Sequence, residues 1–344
     1  MGLLSVPVVD LSPWVAGGSD RERSRVVADT DKALREVGFL QIVGHGVTDD
    51  VVAAMAGAAD AFFAMSLDAK SSYRVQGANR GYTPPRAESL ILSAGIEADP
   101  TSRDFFEAFN IGVDGRSYGG RELPEPEYAP NIWPEELPQF RGNIQAYFEE
   151  AGRVARLLTS IFDVALGQPE GFFAGLTDHS IDVLRLNNYA LAEGTSLGAV
   201  SAMGAHTDFG IVTVLWADAV PGLQILDAGG GWHDVLPATG ALLVNLGDLT
   251  ARMTNDVWMS TMHRVVPPQV DGRTVRRRSA AYFHDGNFDA VVAPLPQFVD
   301  ATRPAGYEPV RVADHLKAKL AGSREGLVNT SAVRESARLQ ASLG

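Results

Sequence analysis

Between residues 181 and 293 the chain breaks into many short apolar runs, among them 181–187, 211–216, 223–226, 241–245, 263–266 and 279–283, separated by Gly, Asp and Pro. Roughly seven or eight short strands with turns between them suggest a β-sandwich or barrel of the jelly-roll type. Nothing else in the sequence restricts the fold as strongly. The segments on either side must add to that all-β core.

Those segments read differently. Val6-Pro7-Val8-Val9-Asp10-Leu11 is a β-type opening that ends in the turn or cap signal Ser12-Pro13. Residues 19–36 carry helical spacing up to Gly38, 39–43 read as a strand, and 49–65 read as an Ala-rich helix. The stretch 76–135 is rich in Gly, Pro and charge, with one strand-like run at 104–112; loops of such length are usually functional or mobile. Residues 138–166 form the longest helical pattern, with Phe140, Ile144, Tyr147, Val154, Leu158 and Ile161 near i, i+3, i+4 spacing. The tail 308–340 looks helical. The expected fold is α+β with a mainly β core. Its segments are an N-terminal region over 1–135, a long connecting helix over 136–180, the β core over 181–295 and a helical tail over 296–344.

Composition removes several functions. Lys and Arg total 29 against 42 Asp and Glu, a formal net charge of −13. Such a chain is a poor holder of nucleic acid or anionic membranes. It has no cysteine, so disulfides, thiolate metal sites and a thiol nucleophile are excluded. Any metal must sit on His, Asp or Glu. No run of about 20 apolar residues marks a membrane span, and the N-terminus lacks a signal-peptide pattern, so the expected address is the cytoplasm.

One set of residues meets the metal requirement. In Gly204-Ala205-His206-Thr207-Asp208-Phe209-Gly210, strand alternation would project His206 and Asp208 from one face. His263, in Thr261-Met262-His263-Arg264-Val265, is the best third ligand. Two His and one carboxylate leave open positions on the ion, which fits a non-haem Fe(II) site better than a closed structural zinc site. His45, His179, His233, His284 and His315 read as structural or surface residues. Further on, in Arg276-Arg277-Arg278-Ser279, alternation sets Arg277 beside Ser279, a planar fork plus a hydroxyl suited to a carboxylate. Arg276 and Arg278 fall on the other face, as a solvated basic run, and Asp271-Gly272 makes the preceding hairpin turn.

With these motifs the chain resembles the 2-oxoglutarate- and Fe(II)-dependent dioxygenase superfamily, in its isopenicillin N synthase-like branch. The likeness covers nearly the whole chain. It includes Val37 to Val47, Arg80-Gly81-Tyr82, Leu184-Arg185-Leu186-Asn187-Asn188-Tyr189, His206-Thr207-Asp208, Asn245-Leu246-Gly247-Asp248, His263-Arg264-Val265 and Arg277-Arg278-Ser279. The resemblance implies a double-stranded β-helix with Fe(II) on His206, Asp208 and His263, which are then the catalytic centre. It implies that Arg277, Ser279 and Tyr189 clamp the far carboxylate of 2-oxoglutarate, with Asn187 nearer the metal. The implied reaction consumes O2, releases succinate and CO2, and oxidises an unactivated C–H bond of a small molecule by hydroxylation, desaturation or ring formation. Ascorbate is an expected reductant. A full carboxylate at Asp208 argues against halogenation, because halogenating relatives carry a small residue there.

Candidate substrate walls are Phe105, Phe209, Leu223 and Phe283, with Arg86 or His284 at the rims. Secondary metabolism is the expected setting, by analogy only. The alternative within the resemblance is a 2-oxoglutarate-independent oxidase of the isopenicillin N synthase type, in which the Arg-x-Ser pair holds the substrate's own carboxylate. A silent scaffold is disfavoured by the complete triad and clamp, and a zinc hydrolase by the lack of a His-Glu-x-x-His motif. The chain carries no sign of its oligomeric state.

Overall fold

The computed structural model of the chain describes residues 5–97, 103–191 and 201–341. Its strands include β1 (Val8–Asp10), β2 (Phe39–Val43), β3 (Gly81–Thr83), β4 (Glu107–Gly112), β5 (Val183–Tyr189), β6 (Met203–His206), β7 (Val212–Ala217), β8 (Leu223–Leu226), β9 (Trp232–Asp234), β10 (Leu242–Leu246), β11 (His263–Val265), β12 (Gln269–Val270), β13 (Arg273–Thr274) and β14 (Arg277–His284). Eight of them form one sheet in the order β1-β2-β10-β7-β14-β5-β4-β3, and four form a second in the order β6-β11-β8-β9. This is the jelly roll expected from the run of short strands and the double-stranded β-helix that the resemblance implies, and with the surrounding helices the fold is α+β.

Both ends of the large sheet come from the first 135 residues: β1 and β2 at one edge, β3 and β4 at the other. Only β1 and β2 pair in parallel; the other pairings in this sheet are antiparallel. The strand β5 is buried along its whole length because each face is covered. Leu184 and Leu186 face the main hydrophobic core, while Arg185, Asn187 and Tyr189 alternate onto the other face and line a cavity.

The core side is closed by the helix Phe140–Ala165, which packs on the helices Asp49–Phe63 and Asp20–Glu36 and on β7 and β14. Its stripe of Phe140, Ile144, Tyr147, Ala151, Val154, Ala155, Leu158 and Phe162 is fully buried, as helical periodicity dictates. Truncating one such residue, Leu158 for example, costs about 2–5 kcal/mol. Capping fixes where the helices begin: Ser19 and Glu22 form a reciprocal capping box, and Thr48 accepts from the Val51 amide.

Local details refine the expectations. Of the two readings of Ser12-Pro13, a turn or a cap, the structure takes the helical one: a short helix, Ser12–Val15, starts there, with proline in its first turn. The tail forms two helices, Val312–Glu325 and Val333–Ala341, because Gly326 adopts the left-handed conformation at φ 74° and closes the first. The turn at Asp271-Gly272 holds, with both residues at positive φ as a two-residue hairpin requires. No helix among the described residues is long and apolar enough to cross a membrane.

Candidate active site

The small sheet supplies both histidines. His206 closes β6, His263 opens β11, and the two are directly paired across the strands. Their ring centroids lie 4.3 Å apart. Asp208 is not on the strand, which ends at His206. It lies two residues on, where an isolated parallel bridge to Gly247 keeps the backbone extended. The Asp248 amide donates to the Asp208 carbonyl at 2.8 Å. Glycine at 247 is needed for this close approach, since a side chain there would run into the backbone of Gly210.

The three buried side chains converge. Each offers one ligand atom, and these atoms lie within 4.8 Å of one another. The Nε2 atoms of His206 and His263 stand 3.8 and 3.7 Å from Asp208 Oδ1. The other ring nitrogens are occupied: His206 Nδ1 lies 2.8 Å from the Gly204 carbonyl, and His263 Nδ1 lies 3.1 Å from that of Thr261. A carbonyl only accepts, so each Nδ1 carries a proton and Nε2 is the ring nitrogen turned toward Asp208. Burial, reinforced by the His263 ring, pushes His206 down to about 3, which keeps its imidazole neutral. Asp208 Oδ2 accepts from Thr213 Oγ1 at 2.5 Å and from Asn245 Nδ2 at 2.6 Å, leaving Oδ1 to face the imidazoles. Two imidazole nitrogens and one carboxylate oxygen, each oriented by a second hydrogen bond, suit Fe(II).

The large sheet brings the four residues of the expected clamp together. In the β14–β5 pairing Arg277 is opposite Tyr189 and Ser279 is opposite Asn187. Asn187 Nδ2 donates to Ser279 Oγ at 3.3 Å, and the Arg277 guanidinium lies over the Tyr189 ring. Burial raises the Tyr189 phenol above its usual value, so it stays a donor. Arg277 is 2% exposed, yet it has no ion-pair partner among the described residues, and its Nε has no hydrogen-bond partner there. A buried, unpaired guanidinium is costly alone and fits an incoming carboxylate.

Arg276 and Arg278 do lie on the opposite face, but they are not a freely solvated run. Both pair with Asp60 of the helix Asp49–Phe63, at 2.8 and 2.7 Å, and Arg278 also meets Asp218. Strand alternation therefore sends the middle arginine into the site and uses its neighbours to fasten a helix.

Triad and clamp open onto one cavity of about 710 Å3. Phe209, Leu223 and Phe283 line it as expected. Phe105 is a correction: it is absent from the cavity wall and half-buried beneath the Arg86 guanidinium. Neighbours on an extended chain face opposite sides, and Phe106 turns into a buried apolar cluster under Arg185; it too is absent from the cavity wall. Arg86 and His284 are also not at the rim. Arg86 is exposed away from the cavity, and His284 faces the opposite side of β14, 3.0 Å from Asp182. His45, His179, His233 and His315 are engaged elsewhere, on Gly240, Asp289, Asp227 and Asp248.

Several residues with a role here escaped sequence reasoning. Thr213 and Asn245 fix the carboxylate of Asp208. Lys319, from the helix Val312–Glu325, is buried beneath the metal loop, where its Nζ meets Asp248 at 2.7 Å and Thr207 Oγ1 at 3.2 Å. Arg185, Glu88 and Arg324 form an ionic group on the cavity wall. Only Asn245 and Arg185 carry a signal, since each lies within a stretch that resembles the superfamily.

Comparison with known proteins agrees with this geometry. Residues 180–286 match the model of the 2OG-Fe(II) oxygenase superfamily, and residues 6–136 match that of the non-haem dioxygenase in morphine synthesis N-terminal region. The 2-oxoglutarate-Fe(II) type oxidoreductase hxnY of Emericella nidulans is 32% identical, over 90% of this chain and 88% of that protein. The validamycin A dioxygenase of Streptomyces hygroscopicus subsp. limoneus is 32% identical, over 85% of this chain and 80% of its own length. Among solved structures, a full-length Neurospora crassa protein in complex with alpha-KG and thymine superimposes with a TM-score of 0.81 at 25% identity, covering 92% of this chain and 97% of that one.

Proposed function

Because this chain belongs to the 2OG-Fe(II) oxygenase superfamily, we propose that His206, Asp208 and His263 hold its iron, and that Arg277, Ser279, Tyr189 and Asn187 hold its 2-oxoglutarate. The protein is a 2-oxoglutarate-dependent dioxygenase, an oxidoreductase whose cofactor is Fe(II). The observation that carries the residue assignment is the pairing of a convergent triad with a buried guanidinium that has no ion-pair partner among the described residues, both facing one cavity.

Bound at the triad, Fe(II) supplies the oxidising chemistry that converts a substrate C–H bond while 2-oxoglutarate leaves as succinate and CO2. The chain's own residues do the rest. Thr213 and Asn245 hold Asp208 so that one oxygen faces the metal position. The carbonyls of Gly204 and Thr261 fix the histidine tautomers. Arg277 neutralises the far carboxylate of 2-oxoglutarate, while Ser279 and the protonated Tyr189 add hydroxyl donors. Phe209, Leu223 and Phe283 keep the adjoining space apolar and are the proposed substrate walls. The proposal includes a cytoplasmic enzyme of secondary metabolism, supported by the acidic, cysteine-free chain and by relatives such as the validamycin A dioxygenase.

The test is substrate-stimulated, oxygen-dependent succinate release, scored over a panel of small molecules with product analysis. One succinate per oxidised product is expected. Product formed without succinate would instead assign the Arg-x-Ser pair to a substrate carboxylate, as in the isopenicillin N synthase type.

A further inference from the structure

The cavity holds more fixed positive charge than metal and co-substrate require. Arg185 stands on β5 two residues before Asn187, on the same face, and its Nε donates to Asn187 Oδ1 at 3.1 Å. Its Nη2 meets Glu88 Oε2 at 2.7 Å. Arg324, at the end of the helix Val312–Glu325, meets the other oxygen of the same carboxylate, Nε to Oε1 at 3.0 Å. Two guanidiniums therefore share one carboxylate. The group is enclosed: the side chains of Glu88, Arg185 and Arg324 are 3%, 11% and 26% exposed. Arg324 Nη2 reaches Asn79, and its Nη1 has no partner among the described residues. All three residues line the cavity.

Charge matching then decides what can enter. In the loaded enzyme the charges of Fe(II) and Arg277 are balanced by Asp208 and by the two carboxylates of 2-oxoglutarate. Within the Arg185–Glu88–Arg324 group two guanidiniums share one carboxylate, so the group itself carries net positive charge in a site of low dielectric, which favours an anion. Arg80 adds charge of the same sign, its guanidinium bound only to backbone carbonyls among the described residues. Arg74, Lys317 and Glu325 at the mouth are exposed and screened by solvent. The facing walls are apolar, with Ile181, Val183, Phe283, Leu316 and Leu320.

We propose that the molecule oxidised here is a small organic monoanion, an apolar body bearing one carboxylate, with the carboxylate held by Arg324 and Arg185 and the body laid along those walls. This deepens the reading of the cavity as the active site and rests on it. A neutral isostere loses the charge-assisted hydrogen bonds.

The test uses the full chain loaded anaerobically with Fe(II) and 2-oxoglutarate, and the acids phenylacetate, 3-phenylpropionate, 4-phenylbutyrate and 5-phenylvalerate beside their primary amides, titrated by calorimetry. At least one acid should bind about tenfold or more tightly than its amide. Arg324→Gln should shrink that ratio to about twofold or less, and Glu88→Gln, which removes the shared carboxylate, should widen it. A purely structural role for the group would move both variants the same way. If no acid outbinds its amide, or if the two substitutions shift the ratio in one direction, the proposal is overturned. The visible absorption that 2-oxoglutarate produces on Fe(II) is recorded in the same samples. Its absence in the wild type would count against the active-site reading, and the acid-to-amide ratio judges the subsite separately.

Discussion

Arg277 stands directly opposite Tyr189 in the antiparallel pairing of β14 and β5, and its guanidinium lies 5.2 Å from the centre of the phenol ring. The ring accommodates the cation without neutralising it. The arrangement holds a buried positive charge ready for an anion, at a cost to the empty protein.

Replacing Arg277 by Leu should therefore have two opposite effects. The 2-oxoglutarate KM should rise steeply, as the loss of a buried charge-assisted pair is worth about 2–5 kcal/mol. The metal-free, co-substrate-free protein should melt higher, because an unpaired buried charge is gone; each kcal/mol recovered is worth roughly 2–4 °C in a chain of this size. Steady-state kinetics and thermal melts of the same preparation read the two effects.

Asn245→Ala should weaken the iron site without touching a ligand. Asn245 and Thr213 together hold Asp208 Oδ2, so removing one donor frees the carboxylate to rotate. Losing such an outer hydrogen bond typically lowers metal affinity or activity by about 10- to 100-fold. Competitive Fe(II) titration against a chelator measures it, and Thr213→Val should fall in the same direction.

Gly247→Ala should misplace Asp208. The added methyl meets the Gly210 backbone, and overpacking of this kind costs about 1–3 kcal/mol. Urea unfolding should show the loss of stability, and iron affinity should fall with it, since the bridge from Gly247 to Asp208 cannot close.

The ionic group under the metal loop should govern acid stability. Burial alone would raise the Asp248 carboxyl, but the attraction of Lys319 and the contact with His315 outweigh it and hold the group well below its ordinary value. A carboxylate lowered on folding contributes stability that is complete above its unfolded value, near 4, and is lost as pH falls toward the folded value. Lys319→Met should cost about 3–5 kcal/mol near neutral pH, because it leaves Asp248 charged and buried. The gap between variant and wild type should narrow as pH is lowered to about 3, where Asp248 becomes protonated in the unfolded chain. Denaturant midpoints across that range check both statements.

Much of this molecule is legible in residue order wherever one periodicity dominates. Phe39–Val43 and Leu223–Leu226 lie where their apolar runs end, and alternation alone puts Arg277 inside and Arg276 and Arg278 outside. Phe105 is expected on the cavity wall, but β4 begins only at Glu107, the run before it carries no phase marker, and neither Phe105 nor Phe106 reaches that wall. Alternation also puts Asp208 on a strand that in fact stops at His206; its position depends instead on the distant Gly247. Glu88 is invisible for a similar reason. It lies in an irregular loop, and its partners Arg185 and Arg324 are 97 and 236 residues away, a distance no local pattern reports. Chemistry that depends on a motif is legible, and chemistry that depends on tertiary convergence is not.

The most direct measurement is an anaerobic titration of 2-oxoglutarate into the Fe(II)-loaded protein, followed by visible absorption, for the wild type, Asp208→Ala and Arg277→Leu. The wild type should develop a weak charge-transfer band that saturates with one 2-oxoglutarate per chain. Asp208→Ala should lose the band, and Arg277→Leu should develop it only at far higher co-substrate concentration. A wild type that binds Fe(II) and 2-oxoglutarate without the band, or an Arg277→Leu protein that titrates like the wild type, would contradict the assignment of triad and clamp.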